Sequence, residues 1–125
     1  MPRKNILARY QLIVNGDMSL SSITSAVVAI QYMDNIGIQL DFTGTPTGTF
    51  EIQGSADYEQ DEFGNVENPG FWIPIGPLSS APVASGTDGQ IFIDVNQISS
   101  PWIRVVYNRT SGAGTLNGFI TGKEI

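Results

Sequence analysis

Apolar and polar residues alternate with a period of two through most of this 125-residue chain. Between positions 36 and 42 every second side chain is apolar, while Gln39 and Asp41 occupy intervening positions. Successive side chains of a β-strand point to opposite sides of a sheet, so this pattern predicts half-buried strands. The same alternation recurs at 50–53, 91–95, 102–107 and 116–121.

Turn-forming residues separate these segments. Asn-Gly-Asp at 15–17, Thr-Pro-Thr-Gly at 45–48 and Ser-Gly-Ala-Gly at 111–114 are typical of tight connections between strands. The apolar run 26–30 fits a covered strand or a short helix, and the Ser, Thr and Val residues leading into it favour a strand. About eight strands and no amphipathic helix predict an all-β fold, a single antiparallel β-sandwich or jelly-roll-like domain spanning 1–125. Residues 1–8 are a candidate for an extended N-terminal arm.

The alternation also assigns the faces of individual strands. Ile103, Val105 and Tyr107 are predicted to face the core, with Trp102 and Arg104 on the opposite face. Two other segments align three large side chains each, namely Tyr10, Leu12 and Val14 in the first and Phe71, Ile73 and Ile75 in the second. A proline within the second segment predicts an edge strand or a bulge there.

The side-chain composition excludes several kinds of chemistry. The chain contains no cysteine and no histidine, so disulfides, Cys/His zinc sites and Ser-His-Asp or Cys-His catalysis are excluded. Only 14% of the residues are charged, against about 25% in a typical soluble domain. No apolar run approaches the roughly 18 residues of a membrane span and nothing resembles a secretory leader, so we expect a protein made in the cytoplasm with no membrane partner.

The net charge of −6 is distributed unevenly. The six basic residues lie only at 3–9 and 104–123, whereas the interval 10–103 holds eleven of the twelve acidic ones. A nucleic-acid groove needs clustered Lys and Arg, so no nucleic-acid partner is expected. For the basic N-terminus, a solvated tail is the favoured interpretation, and contact with an acidic partner is the alternative.

A run of carboxylates forms the densest charge in the chain. Its members are Asp57, Glu59, Asp61, Glu62 and Glu67. The first three have the spacing of a calcium loop, but that motif needs glycine at its sixth position and glutamate at its twelfth, where Glu62 and Asn68 stand. The favoured interpretation is the solvated tip of an irregular hairpin, with a looser calcium site as the alternative.

Three further carboxylates lie on predicted strands with their side chains opposite the core. Asp41, Glu51 and Asp94 have the chemistry required for the carboxylate pair of a glycoside hydrolase. A solvated outer face is the favoured interpretation, so no catalytic residue, metal or cofactor is predicted. Arg104 is the first basic residue after Arg9, and we predict that it forms a structural ion pair with a carboxylate such as one of these three.

Aromatic side chains offer another kind of site. Trp72, Trp102, Tyr58, Tyr107 and Phe71 are candidates for a platform on which sugar rings stack. In a small sandwich such residues more often belong to the core or to a protein interface, which is the favoured interpretation.

Two segments, 34–58 and 99–125, resemble small all-β structural proteins of tailed bacteriophages. The resemblance is carried by Asn-Ile-Gly-Ile-Gln, by Thr-Gly-Thr-Pro-Thr-Gly-Thr, and by Pro-Trp-Ile-Arg-Val-Val-Tyr followed by a glycine-rich turn. It implies a non-enzymatic virion protein, made in the host cytoplasm, that decorates or cements the capsid. The implied partners are the major capsid protein or other virion proteins, with repeated copies or a homo-oligomer on the virion.

Under this resemblance, the expected partner contacts are Arg3, Lys4, Arg9, Trp72 and Trp102. The C-terminal segment is also similar to the last strands of discoidin-like, galactose-binding-type sandwiches, although their usual bridging cysteines are absent here. That likeness implies a carbohydrate partner. A carbohydrate-binding module for adhesion to host surfaces is therefore the alternative function.

Overall fold

The computed structural model describes residues 6–30, 33–76, 83–84, 88–95 and 100–123. Every regular element in these ranges is a β-strand, which confirms the predicted all-β class, and none of the described segments forms a helix that could cross a membrane. The strands are β1 Ile6–Asp17, β2 Ser22–Thr24, β3 Val28–Ala29, β4 Asn35–Gly44, β5 Thr47–Ser55, β6 Glu59–Gln60, β7 Val66–Asn68, β8 Ile73–Gly76, β9 Val83–Ala84, β10 Gly89–Val95, β11 Trp102–Ser111 and β12 Gly114–Lys123. Eight of these strands form the two main sheets. The other four, β3, β6, β7 and β9, are short additional strands of two or three residues.

Two antiparallel sheets pack against each other as a β-sandwich. The first sheet has the strand order β1-β12-β4-β10, and the second has β2-β11-β5-β8, with β3 paired to β11 and β9 to β5. β1 pairs with β12, β2 with β11, β4 with β10 and β5 with β8, so the chain resembles one long hairpin that has been rolled up. This nested pairing is a jelly-roll arrangement and agrees with the prediction.

The core lies between the sheets and consists largely of the side chains that the alternation assigned to it. The buried residues from the predicted strand faces are Ile36, Ile38, Leu40, Phe42, Phe50, Ile52, Ile93, Ile103, Val105, Tyr107, Leu116 and Ile120. Phe50 and Tyr107 meet on neighbouring strands with ring centroids 5.1 Å apart. Burying one such side chain contributes about 1.5–3 kcal/mol relative to leaving it exposed, so this layer is the main source of stability.

The first strand departs from the prediction that Tyr10, Leu12 and Val14 share one face. Leu12 and Ile13, which are adjacent in sequence, are both buried, while Tyr10 and Val14 are 47% and 65% exposed. The pairing of β1 with β12 shifts register at three places, including between Gln11 and Ile13. Because a bulge adds an unpaired residue and interrupts the alternation, it allows both neighbours to enter the core, and the prediction for this strand is wrong.

The apolar run 26–30 does not form one continuous strand. β2 ends at Thr24 and β3 begins at Val28, and both pair with β11. Between them, the Ser25 N–H donates to the Val105 carbonyl at 2.8 Å, and the Ser25 hydroxyl oxygen accepts the Val105 N–H at 2.8 Å. The serine side chain thus replaces a backbone acceptor of the ladder and allows the strand to be split in two.

The predicted N-terminal arm overlaps the first strand. β1 begins at Ile6, whose partner on β12 is Lys123, so 6–8 belong to the sheet. Two of the predicted contact residues, Arg3 and Lys4, lie outside the described residues. Arg9 is exposed, and its guanidinium lies 5.2 Å from the ring centroid of Phe119.

The two ends of β5 are built differently. At the start of β5, the β4–β5 turn contacts the β11–β12 turn through a hydrogen bond that the Thr45 N–H donates to the Ala113 carbonyl at 2.9 Å. Gly112, with a φ of +78°, is part of this contact, and a Cβ there would collide with the Thr45 carbonyl oxygen. After the last residue of β5, positions 56–72 instead form a long excursion with its own two-stranded sheet, β6–β7.

Candidate functional site

Three of the five aromatic residues singled out in the sequence meet at the end of the second sheet. The Tyr58 ring lies 4.9 Å from that of Trp102 and 5.5 Å from that of Trp72, measured between centroids. Tyr107 is separate from them and fully buried in the core, whereas Phe71 is 81% exposed. The structure therefore divides the proposed sugar platform into a packed cluster, a core residue and an isolated exposed ring.

Arg104 lies over this cluster. Its guanidinium carbon is 4.3 Å from the Trp72 ring centroid, and its Nε donates a 2.7 Å hydrogen bond to Gln53 Oε1. Partial burial lowers the pKa of Arg104, and the charge of Glu51 acts in the opposite direction. One flat face of Trp72 is thus occupied by a cation, which is a stabilising arrangement for both side chains.

Arg104 is linked to a carboxylate, that of Glu51, through a bridging glutamine side chain. Gln53 Nε2 donates to Glu51 Oε1 at 3.1 Å, so an amide bridges the cation and Glu51. No hydrogen bond joins Arg104 directly to a carboxylate within the described part of the chain, and the direct ion pair predicted from the sequence is replaced by this relay. The other two candidates, Asp41 and Asp94, lie on the first sheet, whereas Arg104 lies on the second.

The acidic run forms a hairpin whose tip is organised by Asp61. Its Oδ1 accepts the N–H groups of Phe63 and Asn65, both at 2.8 Å, and its Oδ2 accepts Asn65 Nδ2 at 3.1 Å. Gly64 completes the turn at a φ of +85°, a left-handed conformation that favours glycine. The tip is therefore a defined structure with Phe63 at a fixed place in it.

Asp57 fastens the other end of the excursion. Its Oδ1 accepts the Phe71 N–H at 2.8 Å and the Ser55 hydroxyl at 3.0 Å. Beyond Phe71, the Trp72 indole N–H donates to the Pro69 carbonyl at 2.9 Å. These bonds hold the chain on both sides of Phe71 while its ring remains exposed.

The same hydrogen bonds favour the ionised form of both aspartates. The N–H of Phe71, and then the Ser55 hydroxyl, lower the pKa of Asp57. The N–H of Asn65 is the main cause that lowers the pKa of Asp61. Both side chains act as ionised acceptors for the backbone. Within the described ranges, no three acidic side chains are grouped so as to hold a metal ion.

The excursion also exposes large apolar side chains that the sequence pattern did not reveal. We use the term hairpin surface for the exposed side chains of the excursion and of Ile73 at the start of β8. They are Phe63 (81% exposed), Val66 (56%), Phe71 (81%) and Ile73 (64%), together with the exposed acids Glu59, Glu62 and Glu67. The alternation placed Phe71 and Ile73 on a common strand face with Ile75, but β8 begins only at Ile73, and Ile75 alone of the three packs against the core. In the sequence, this exposure is indicated by the position of Phe63 and Val66 within a polar segment that lacks periodicity.

The carboxylates considered for glycoside hydrolysis do not form a pair. Glu51 lies on the second sheet, and Asp41 and Asp94 lie on neighbouring strands of the first. Asp41 pairs with Gln90, so Asp94 is displaced by four residues along its strand. That displacement is about 13 Å at 3.3 Å per residue, beyond the roughly 5–9.5 Å that separates catalytic carboxyl groups.

The first sheet carries an open groove on its outer face. The groove has a volume of about 640 Å³, and Asn35, Gly37, Phe92, Asp94 and Thr121 are among its lining residues. Phe92 is 60% exposed, and a Cβ at Gly37 would lie 2.6 Å from its ring. The absence of a side chain at Gly37 therefore allows the Phe92 ring to lie close to the sheet.

Comparison with known proteins identifies no family. No protein-family model matches the chain, and no curated protein matches it. Among solved structures, a similar one is the crystal structure of dimeric latent PorU from Porphyromonas gingivalis, with a TM-score of 0.45 and 10% sequence identity. The match covers 96% of this chain but only 13% of the PorU chain. At that level of similarity it bears on neither the fold nor the function of the present chain.

Proposed function

We propose that this protein is a non-enzymatic structural component of a bacteriophage virion that decorates or cements the capsid through protein–protein contacts. The observation that carries the proposal is the hairpin surface, where two phenylalanine rings are each 81% exposed. The backbone N–H of each donates to an aspartate at 2.8 Å, so the backbone that carries both exposed rings is held in place.

Such an arrangement favours contact with another protein. Exposed aromatic side chains are enriched at the centres of protein interfaces, where they bury much area at low entropic cost. A backbone already fixed in the binding conformation loses little freedom on association. The jelly roll is also the fold of many viral capsid domains, although fold alone supports this by analogy only.

The aromatic cluster favours this role over sugar stacking at the same end of the molecule. Tyr58 is only 7% exposed, and Trp72 has Arg104 over one face. A sugar ring needs an open aromatic face, and these rings are engaged with each other and with the cation. In the proposed function, Trp72 and Trp102 position the excursion and make at most peripheral contacts with the partner.

A second candidate function, glycan binding, is favoured by one observation on the first sheet. Phe92 presents an exposed ring beside a groove lined by the polar side chains of Asn35, Asp94 and Thr121. An aromatic face flanked by hydrogen-bonding groups suits a sugar. Titration against a glycan array would test this role, which predicts binding that Phe92→Ala abolishes. A wild-type protein that binds no glycan would reject it.

The capsid role is tested by co-sedimentation with purified empty capsids and, separately, with purified tails of the encoding phage. Stoichiometric binding of the wild-type chain to capsids is expected. The double variant Phe63→Ser/Phe71→Ser should lose it, whereas Val14→Ser/Leu20→Ser, which changes two exposed apolar side chains elsewhere, should not. Failure of the wild-type chain to bind either particle would reject the proposal.

A further inference from the structure

The hairpin surface carries charges that nothing in the described chain neutralises. Glu59, Glu62 and Glu67 are exposed and have no hydrogen bond or ion pair with any described residue. They lie in the same short excursion as Phe63 and Phe71. Protein interfaces usually combine an apolar centre with a polar rim, and the unpaired charges of this excursion have one sign.

The protein has little basic charge with which to complement this rim. It has no basic residue between positions 10 and 103. The Arg104 guanidinium is engaged by Gln53 and Trp72, and that of Arg109 donates from Nε to the Gly112 carbonyl at 2.8 Å. The other two described cations, Arg9 and Lys123, are exposed on the paired strands β1 and β12. A second copy of the chain therefore offers two basic side chains to three glutamates, which makes it the weaker fit for the hairpin surface.

We infer that the hairpin surface binds a basic protein surface, whose apolar side chains contact Phe63 and Phe71 and whose lysine and arginine side chains face Glu59, Glu62 and Glu67. The inference rests on the proposed function and specifies the partner's chemistry. It reverses the sign of the contact expected from Arg3, Lys4 and Arg9, which required an acidic partner. Charge complementarity excludes nucleic acid and anionic lipid headgroups, since the three glutamates would repel phosphate.

The chemistry can be tested without the virion. A ¹⁵N-labelled wild-type chain is titrated with a short amphipathic peptide of alternating leucine and lysine, and with a matched leucine–glutamate peptide. Amide shift changes should be confined to residues 57–73, occur only with the leucine–lysine peptide, and disappear at 1 M NaCl, where the screening length falls to about 3 Å. Shift changes that are absent, or centred on β10 or on the turns at the opposite end, would overturn the inference.

The physiological partner is tested with capsids. Glu59→Gln/Glu62→Gln/Glu67→Gln should weaken capsid binding about tenfold in total, as expected for three exposed ion pairs. Phe71→Ser should weaken it about 30-fold, the effect of losing one interface anchor. Asp17→Asn, which removes an exposed carboxylate on the other sheet, is the control and should bind like wild type.

The outcomes separate the two proposals. If the triple glutamine variant binds capsids as well as the wild-type chain does, the partner surface is not basic. That result would reject this inference and leave the capsid role supported. If the wild-type chain binds no particle, the capsid role falls, and the peptide titration alone decides the inference. Equal binding of vesicles containing anionic lipid and of the leucine–lysine peptide would also overturn it.

Discussion

Replacing Arg104 with alanine should destabilise the fold without abolishing partner binding. The change removes the 2.7 Å hydrogen bond to Gln53 and the guanidinium that lies 4.3 Å from the Trp72 ring centroid. A hydrogen bond from a charged group contributes about 1.5–3 kcal/mol when buried, and roughly half of that is expected for this half-exposed side chain. The cation–π contact adds about 0.5–1 kcal/mol. The sum is about 1.2–2.5 kcal/mol, which corresponds to a fall in Tm of roughly 5–10 °C for a domain of this size.

Urea denaturation followed by tryptophan fluorescence is the appropriate assay. The chain has two tryptophans, Trp72 and Trp102, and both belong to the cluster beneath Arg104, so the signal reports on the perturbed site. A double-mutant cycle with Trp72→Leu should give a coupling energy of about 0.5–1 kcal/mol. Arg109→Ala, which removes an exposed arginine at the other end of β11, is the matched control.

One result would refute this reasoning. If Arg104→Ala had the same urea midpoint of unfolding as the wild type but no longer bound capsids, the arginine would be a contact residue. Its stacking on Trp72 would then be incidental to stability. A destabilised variant that still binds at a temperature where it is folded would support the structural role.

Three other predictions follow from buried groups and from the aspartates of the excursion. Ser25→Ala should lower the free energy of unfolding, measured by chemical denaturation, by about 1–3 kcal/mol, because a buried N–H of β11 loses its acceptor. Ser25→Thr, which retains a hydroxyl, should lower it less. Equal losses for the two variants would contradict this explanation. Gly48→Ala should lower the free energy of unfolding by about 1–3 kcal/mol, since the new Cβ would lie 2.6 Å from the buried Tyr107 hydroxyl. An unchanged Tm would show that β5 can shift to accommodate the added methyl group. The pKa values of Asp57 and Asp61 are lowered below 3.8 in the folded state, so their stabilisation is complete above pH 3.8 and is lost as the pH falls through the folded-state values. The amide protection factors at 63, 65 and 71 should fall in that acid range before those of the core amides. Simultaneous loss of protection in both sets would argue against local control.

The strands that the sequence predicted well are those with regular pairing. β4 pairs with β10 and β12 without any register shift, and its alternating residues enter the core as expected. β11 likewise buries Ile103 and Val105 and leaves Trp102 and Arg104 on the outer side. In such strands the side chain's direction follows from its position alone, so local pattern is sufficient.

The features that the sequence did not predict depend on distant partners. The bulges of β1 are set by its pairing with β12, so the burial of both Leu12 and Ile13 has no local signature. The backbone N–H groups of the exposed Phe63 and Phe71 donate hydrogen bonds to aspartates, one of which is 14 residues away. Arg104 was correctly placed on the outer side of its strand, but its relay through Gln53 depends on the register between β11 and β5. Hydrophobic alternation carries no information about such contacts.

The nested pairing of the strands also has a consequence for biogenesis. β1 and β2 have their main partners in β12 and β11, which are synthesised after the other strands of this domain. During translation the early strands therefore have unpaired edges until β11 and β12 leave the ribosome, and in that interval they are available for mispairing between nascent chains. Non-local β-sheet topologies of this kind fold in about milliseconds to seconds. High-level expression should accordingly favour inclusion bodies when synthesis outpaces this final closure, and slower synthesis at low temperature should raise the yield of folded protein.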